Sequence, residues 1–209
     1  MKGIKNIIFD LGGVIINLDI LATIRAFNDL SEVPFESVYT QAAQNPLFNA
    51  FDKGDISDVD FFTELRKELR FSGDEALLYD AWNRMLGDVP QKRLDTLIDA
   101  KQAYNTYLLS NTNETHISVF ERDLYESRGV RNFNDYFDKV YYSCRIGMRK
   151  PDEEIFSYVL EQNNLIPAET VFIDDSEQHV KAAGNLGINA YLLNPQIDIG
   201  DLLKEIKLL

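Results

Sequence analysis

Four short segments of this 209-residue sequence carry groups able to hold an anion or a metal ion. In "IIFDLGGVI", Asp10 ends the apolar run Asn6 to Phe9 and enters a turn at Gly12 and Gly13, where a carboxylate is exposed beside backbone amides free to meet an anion. In "YLLSNTNE", Ser110 and Asn111 close a second apolar run. Their short side chains donate hydrogen bonds to phosphate, and Asn113 or Glu114 begins a helix whose N-terminus favours negative charge. "GMRKP" offers Lys150 in a loop bounded by Gly and Pro, an ammonium able to neutralise a phosphate and a nucleophile together. "TVFIDDSEQHV" sets Asp174 and Asp175 side by side after a third run, and paired hard oxygen ligands suit magnesium. Each piece has an everyday counterpart in a turn aspartate, a helix cap or a solvated lysine; their joint occurrence points to a phosphate site.

These groups need a scaffold that brings them together. Asn6 to Phe9, Thr106 to Leu109, Thr170 to Ile173 and Ala190 to Leu193 read as short buried strands, with Lys139 to Tyr142 as a fifth. Helical patterns separate them, which predicts an α/β fold: a Rossmann-like parallel sheet core with helices on both faces. Such sheets bind ligands beyond the carboxyl ends of their strands, and Asp10, Ser110, Asp174 and Asp175 each follow a strand directly. From about Asn17 to Pro90 the apolar period becomes helical, through Ile20, Ile24 and Phe27 and then Phe61, Phe62, Leu65 and Leu69. Asp19 and Ser57 stand at N-cap positions, and Pro34, Pro46 and Gly54 mark turns. The expectation is a core of residues 1–16 and 90–209 with an inserted α-helical cap of residues 17–89.

In this order, strand-Asp, strand-Ser, loop-Lys-Pro and strand-Asp-Asp, the four segments resemble the signature of the haloacid dehalogenase-like hydrolase superfamily. Within it, "FDLGGVI", "LSNTN", "GMRKP" and "FIDDS", with the run "DKGDIS", look most like the branch of bacterial sugar-phosphate phosphatases acting on α-glucose 1-phosphate. The resemblance implies that Asp10 attacks phosphorus to form an aspartyl phosphate, with Ser110, Asn111 and Lys150 around the phosphoryl oxygens. It implies that Mg2+ is held by Asp10, the carbonyl of Gly12 and Asp175, with Asp174 alongside or orienting Lys150. One position departs from the pattern. Most phosphatases of the superfamily carry an acid two residues after the nucleophile, and Gly12 has no proton to give. Glu114 and His179 are the first candidates for that task.

The remaining readings are exclusions. A net charge of -13 repels nucleic acid while leaving a small phosphate ester as substrate, since a bound cation reverses the field locally. Asp10 and two glycines interrupt the only apolar N-terminal stretch, and no membrane-spanning run occurs elsewhere. Cys144 is the single cysteine, which rules out an intrachain disulfide and makes a cytoplasmic setting the expectation. Trp82 reads as packing; Arg25, Asn49, Asp52 and Lys53 read as solvated; His116 and His179 fall within helices. The alternatives are a haloacid dehalogenase, which needs no metal, a phosphomutase, which needs the acid that Gly12 lacks, and a catalytically silent binding protein.

Overall fold

A computed structural model describes residues 3–39 and 45–209. Residues 1–2 and 40–44, which belong to the expected core and cap ranges, lie outside the described residues. In chain order the elements are β1 (Asn6–Phe9), α1 (Ile20–Leu30), α2 (Pro46–Lys53), α3 (Asp58–Glu68), α4 (Glu75–Asn83), α5 (Gln91–Ala103), β2 (Asn105–Ser110), α6 (Glu114–Arg128), β3 (Lys139–Tyr142), α7 (Ser143–Ile146), α8 (Glu153–Gln162), β4 (Thr170–Asp174), α9 (Glu177–Asn185), β5 (Asn189–Leu192) and α10 (Ile199–Glu205).

The strands form one parallel sheet in the order β3-β2-β1-β4-β5. All five expected strands are present; β5 starts one residue early, and β2 and β4 extend to include Ser110 and Asp174. Period-2 alternation divides the strand side chains between two faces. Ile7, Phe9, Leu108, Val171 and Ile173 pack with Leu94, Leu97, Ile117, Phe120 and Leu203 from α5, α6 and α10. On the other face Ile8, Tyr107, Leu109 and Phe172 pack with Phe156, Val159 and Ala183 from α8 and α9. With both faces covered, the middles of the central strands are apolar on both sides, and their polar residues stand at the strand ends.

The chain leaves β1 toward β2 on one side, and β4 returns on the other side of β1. The topological switch point therefore lies between β1 and β4, and a crevice opens at their carboxyl ends. The helices α1 to α4, inserted between β1 and α5, surround their own aromatic cluster: Phe27 and Phe35 stack at 4.2 Å, Phe51 and Phe61 at 3.9 Å, and Trp82 is buried among them. Asp19 and Ser57 cap α1 and α3 as expected, accepting from the backbone N–H of Ala22 and Asp60. The inserted block touches the sheet domain where α2 ends. Gly54 takes a left-handed conformation (φ 72°), and a Cβ there would collide with the carbonyl oxygen of Cys144 in α7, so glycine permits both the turn and the close approach.

Candidate active site

Asp10 follows β1 and Asp174 ends β4, so strand register places them on either side of the switch point. Between them sits Lys150, fully buried, with Nζ 2.7 Å from Asp10 Oδ1 and 2.6 Å from Asp174 Oδ2. An ammonium at this depth needs paired charge. Burial opposes its charged form, but the fields of Asp10 and Asp174 outweigh burial and raise its pKa above the usual lysine value.

The Lys150 loop is fixed by Asn111. Its Oδ1 accepts from the Lys150 backbone N–H at 2.9 Å and its Nδ2 donates to the Lys150 carbonyl at 2.8 Å. Expected to hold phosphate, Asn111 instead directs its side chain at Lys150, because the 150 loop folds across the end of β2 and presents both backbone groups to it. Ser143 reinforces the junction: its hydroxyl donates to the Thr112 carbonyl and accepts from the Thr112 N–H. Ser110 is buried at the end of β2 and lines the same pocket, with only a 3.5 Å contact to the Asn111 carbonyl.

The two adjacent acids differ in their surroundings. Asp174 is buried with both oxygens engaged: Oδ1 accepts from the Ser176 N–H at 2.8 Å and from His179 Nδ1 at 2.9 Å, while Oδ2 takes Lys150. Burial acts to raise its pKa, but Lys150 and His179 prevail and hold it down at about 2. Asp175 opens into the pocket, and partial burial followed by the charge of Asp174 pushes it up to about 6. Asp10 is pushed further, to about 8, by burial and by the charges of Asp174 and Asp175 against the opposing pull of Lys150.

Oxygens of Asp10, Asp174 and Asp175 lie within 4.8 Å of one another. With all three carboxylates ionised they would face one ammonium, an imbalance of two negative charges that a divalent cation would cancel. The chain also leaves room for Asp175: Gly13 has φ 70°, and a Cβ on it would collide with Asp175 Oδ2. Hard oxygen donors, charge deficit and cradle all fit a magnesium-like ion.

Above this floor lies a pocket of about 330 Å3, lined also by Leu18, Ile20, Phe48, Trp82 and Met85 from the inserted helices and the segments that flank them. Of the candidates for the missing acid, His179 lines the pocket with its Nδ1 tied to Asp174. Glu114 does not belong there. Arg145 holds both its oxygens, at 2.7 and 2.9 Å, and keeps its pKa below the usual carboxylate value. The residues read as solvated divide as well. Arg25 is exposed beside Asp19 and Lys53 pairs with Asp152, whereas Asp52 is buried against Arg149 at the pocket wall.

His116 has a structural place that its helix pattern did not disclose. Its ring stacks on Trp82 with centroids 4.9 Å apart, and its Nε2 lies 3.2 Å from the Trp82 carbonyl oxygen, joining α6 to α4. Burial pulls its pKa down to about 4 from 6.5, with the Trp82 carbonyl in partial opposition. A histidine whose folded pKa is depressed contributes stability in full above the unfolded value, and that contribution is lost as pH falls toward the folded one. Between about pH 6.5 and pH 4 this group alone is expected to remove up to about 3 kcal/mol. Denaturant midpoints at pH 7 and pH 4.5 should differ less in His116→Phe than in the parent; an equal difference would refute the assignment.

Residues 4–187 match the family model for haloacid dehalogenase-like hydrolases, a span from β1 through α9 that includes the inserted helices and leaves out β5 and α10. The chain belongs to the haloacid dehalogenase-like hydrolases. It is similar to the D-ribitol-5-phosphate phosphatase of Bacteroides thetaiotaomicron, at 32% identity over 90% of this chain and 91% of that protein. A solved structure of a HAD family enzyme from the same organism, an aspartate-to-alanine mutant in complex with magnesium and inorganic phosphate, superposes with a TM-score of 0.90. That pair is 35% identical over 96% of this chain and 99% of the other. A sesquiterpene phosphatase of Aspergillus oryzae is 27% identical over 88% of this chain and 87% of its own.

Proposed function

We propose that this HAD-like hydrolase is a magnesium-dependent phosphatase that cleaves a small phosphorylated metabolite through an aspartyl phosphate on Asp10. The observation that carries the reading is the cluster of three carboxylates at the switch point, two of them on one buried lysine, which makes sense if a cation and a phosphate dianion complete it. The B. thetaiotaomicron structure with magnesium and inorganic phosphate supports the same pairing. When bound, the ion would lie against Asp10, the Gly12 carbonyl and Asp175 and would offset repulsion between carboxylate and phosphate.

The chain's own groups perform the rest. Lys150 fixes Asp10 Oδ1, and the second carboxylate oxygen attacks phosphorus; the P–O bond to the alcohol breaks, and water later cleaves the acyl phosphate. Ser110 and the Lys150 ammonium hold phosphoryl oxygens, Asn111 and Asp174 position Lys150, and residues 17–89 act as a cap that excludes water. The substrate is a sugar or polyol phosphate. A hexose 1-phosphate suits a site with Gly12 at the acid position, because its anomeric leaving group needs less protonation.

Phosphate release from a panel of monoesters is expected to require magnesium, and Asp175→Ala is expected to bring the rate down to the level seen in chelator, since both remove the same cation. Full turnover in chelator, on a phosphate or on a haloacid, would refute the reading. Binding without release across the panel would identify the silent alternative.

A further inference from the structure

The sheet domain carries a second cavity, away from Asp10. Helix α5 ends just before β2, and α6 is followed by the segment 129–138 that leads into β3, so this cavity lies by the amino ends of those strands, not their carboxyl ends. Its volume is about 600 Å3, within the span of small-molecule sites. Lys101, Arg128 and Arg131 line it with one carboxylate, Asp135, a surplus of two positive charges in a chain whose net charge is -13. Arg93, Arg122 and Arg145 each hold an acid, whereas the guanidinium groups of Arg128 and Arg131 take no hydrogen bond or ion pair among the described residues. Lys101 donates to the carbonyls of Asp135 and Phe137 at 2.8 and 2.7 Å, which fixes its charge at the wall and leaves it one proton to give. Ile98, 45% exposed on α5, and the half-buried Val130 and Tyr136 supply an apolar side.

We propose that this cavity is a second binding site, for a phosphate-bearing small molecule with an apolar body, and that no part of it is shared with the Asp10 pocket. Helix ends explain only part of its charge. Lys101 and Arg128 stand in the last turns of α5 and α6, where cations offset the negative end of a helix. Arg131 lies beyond α6, whose end is already closed by Gly129 with its N–H on the Tyr125 carbonyl. Two exposed guanidinium groups without partners in an acidic chain suit an anion, and each presents a fork that matches phosphate oxygens. A phosphate monoester carries close to two negative charges at neutral pH, which the surplus at the wall matches, whereas a monocarboxylate would leave one positive charge unanswered. Inorganic phosphate would satisfy the cations and leave Ile98, Val130 and Tyr136 facing water, so an attached apolar group adds affinity by covering them.

The test is calorimetric titration with phenylphosphonate at about pH 8, where a phosphate-type group is a dianion, in magnesium and again in chelator. Its carbon–phosphorus bond resists a phosphatase. Inorganic phosphate and benzoate serve as comparisons, one lacking the ring and the other the second charge. In chelator, phenylphosphonate is expected to bind at least several-fold more tightly than either, because this site needs no metal. Arg128→Gln and Arg131→Gln are each expected to weaken that binding about tenfold, the scale of a lost hydrogen bond to a charged group. Both side chains are exposed, so the Tm of each variant without ligand should stay at the parent value. An affinity in chelator that is unchanged when both arginines are replaced would place the probe elsewhere, the Asp10 pocket included, and would overturn the proposal. So would the absence of binding in chelator, or binding no tighter than that of benzoate or inorganic phosphate.

Discussion

Asp10→Asn is expected to reduce phosphate release on the order of 10⁴-fold or more, the scale on which loss of a covalent nucleophile registers. An amide has nearly the shape of the carboxylate and lacks the nucleophilic oxyanion. The same substitution should leave the fold at least as stable. An acid whose folded pKa lies above its unfolded value costs stability once pH exceeds the unfolded value, and the cost is complete above the folded one, about 8 for Asp10 against 3.8. Asparagine removes that penalty, and Lys150 keeps Asp174 as its partner. Thermal melting without added metal should therefore give Asp10→Asn a Tm no lower than that of the parent, the usual relation between an active-site charge and stability. Wild-type turnover in the variant would exclude the covalent route. A lower Tm would show that Asp10 in its ionised form is a net structural support, contrary to the burial that raises its pKa.

The positions of three of the four reactive segments were legible because a parallel sheet delivers whatever follows its strands to one edge; the fourth, with Lys150, lies in a loop between α7 and α8. Asp10, Ser110, Asp174 and Asp175 each lie at a strand's carboxyl end, and alternation between apolar and turn residues was enough to find those ends. Division of labour among them was not legible. Whether Asn111 faces phosphate or a backbone depends on the loop 39 residues downstream, and local sequence says nothing of where that loop crosses. Asp174 and Asp175 are neighbours in sequence with opposite pKa shifts, because one reaches Lys150 and His179 while the other faces the pocket. Asp52 and Arg149, which meet at the pocket wall, come from two separate parts of the chain. The reading of Trp82 as packing agrees with its burial, but nothing in the sequence signalled that Asp52, next to the buried Phe51, turns to the pocket.

Gly12 sets the second large effect. A positioned general acid contributes about 10²–10⁴ in rate, roughly 3–5 kcal/mol of barrier, and the residue that most of the superfamily uses for it has no side chain here. Glu114 does not replace it, being held by Arg145. If nothing else protonates the departing oxygen, the alcohol must leave on its own acidity. The chemical step is then expected to slow steeply as leaving-group pKa rises, and hexose 1-phosphates should outrun the matching 6-phosphates. Introducing the acid is sterically feasible at modest cost, since a Cβ on Gly12 would sit 2.7 Å from Leu18 Cδ1, the movable end of a side chain, and Leu18→Ala clears the space. Gly12→Asp, alone or with Leu18→Ala, should flatten the dependence by speeding poor leaving groups most. Single-turnover measurement keeps product release from masking the slope. A flat dependence in the parent would show that a proton donor is already present, and His179, which lines the pocket with Nδ1 bound to Asp174, is then the residue to remove.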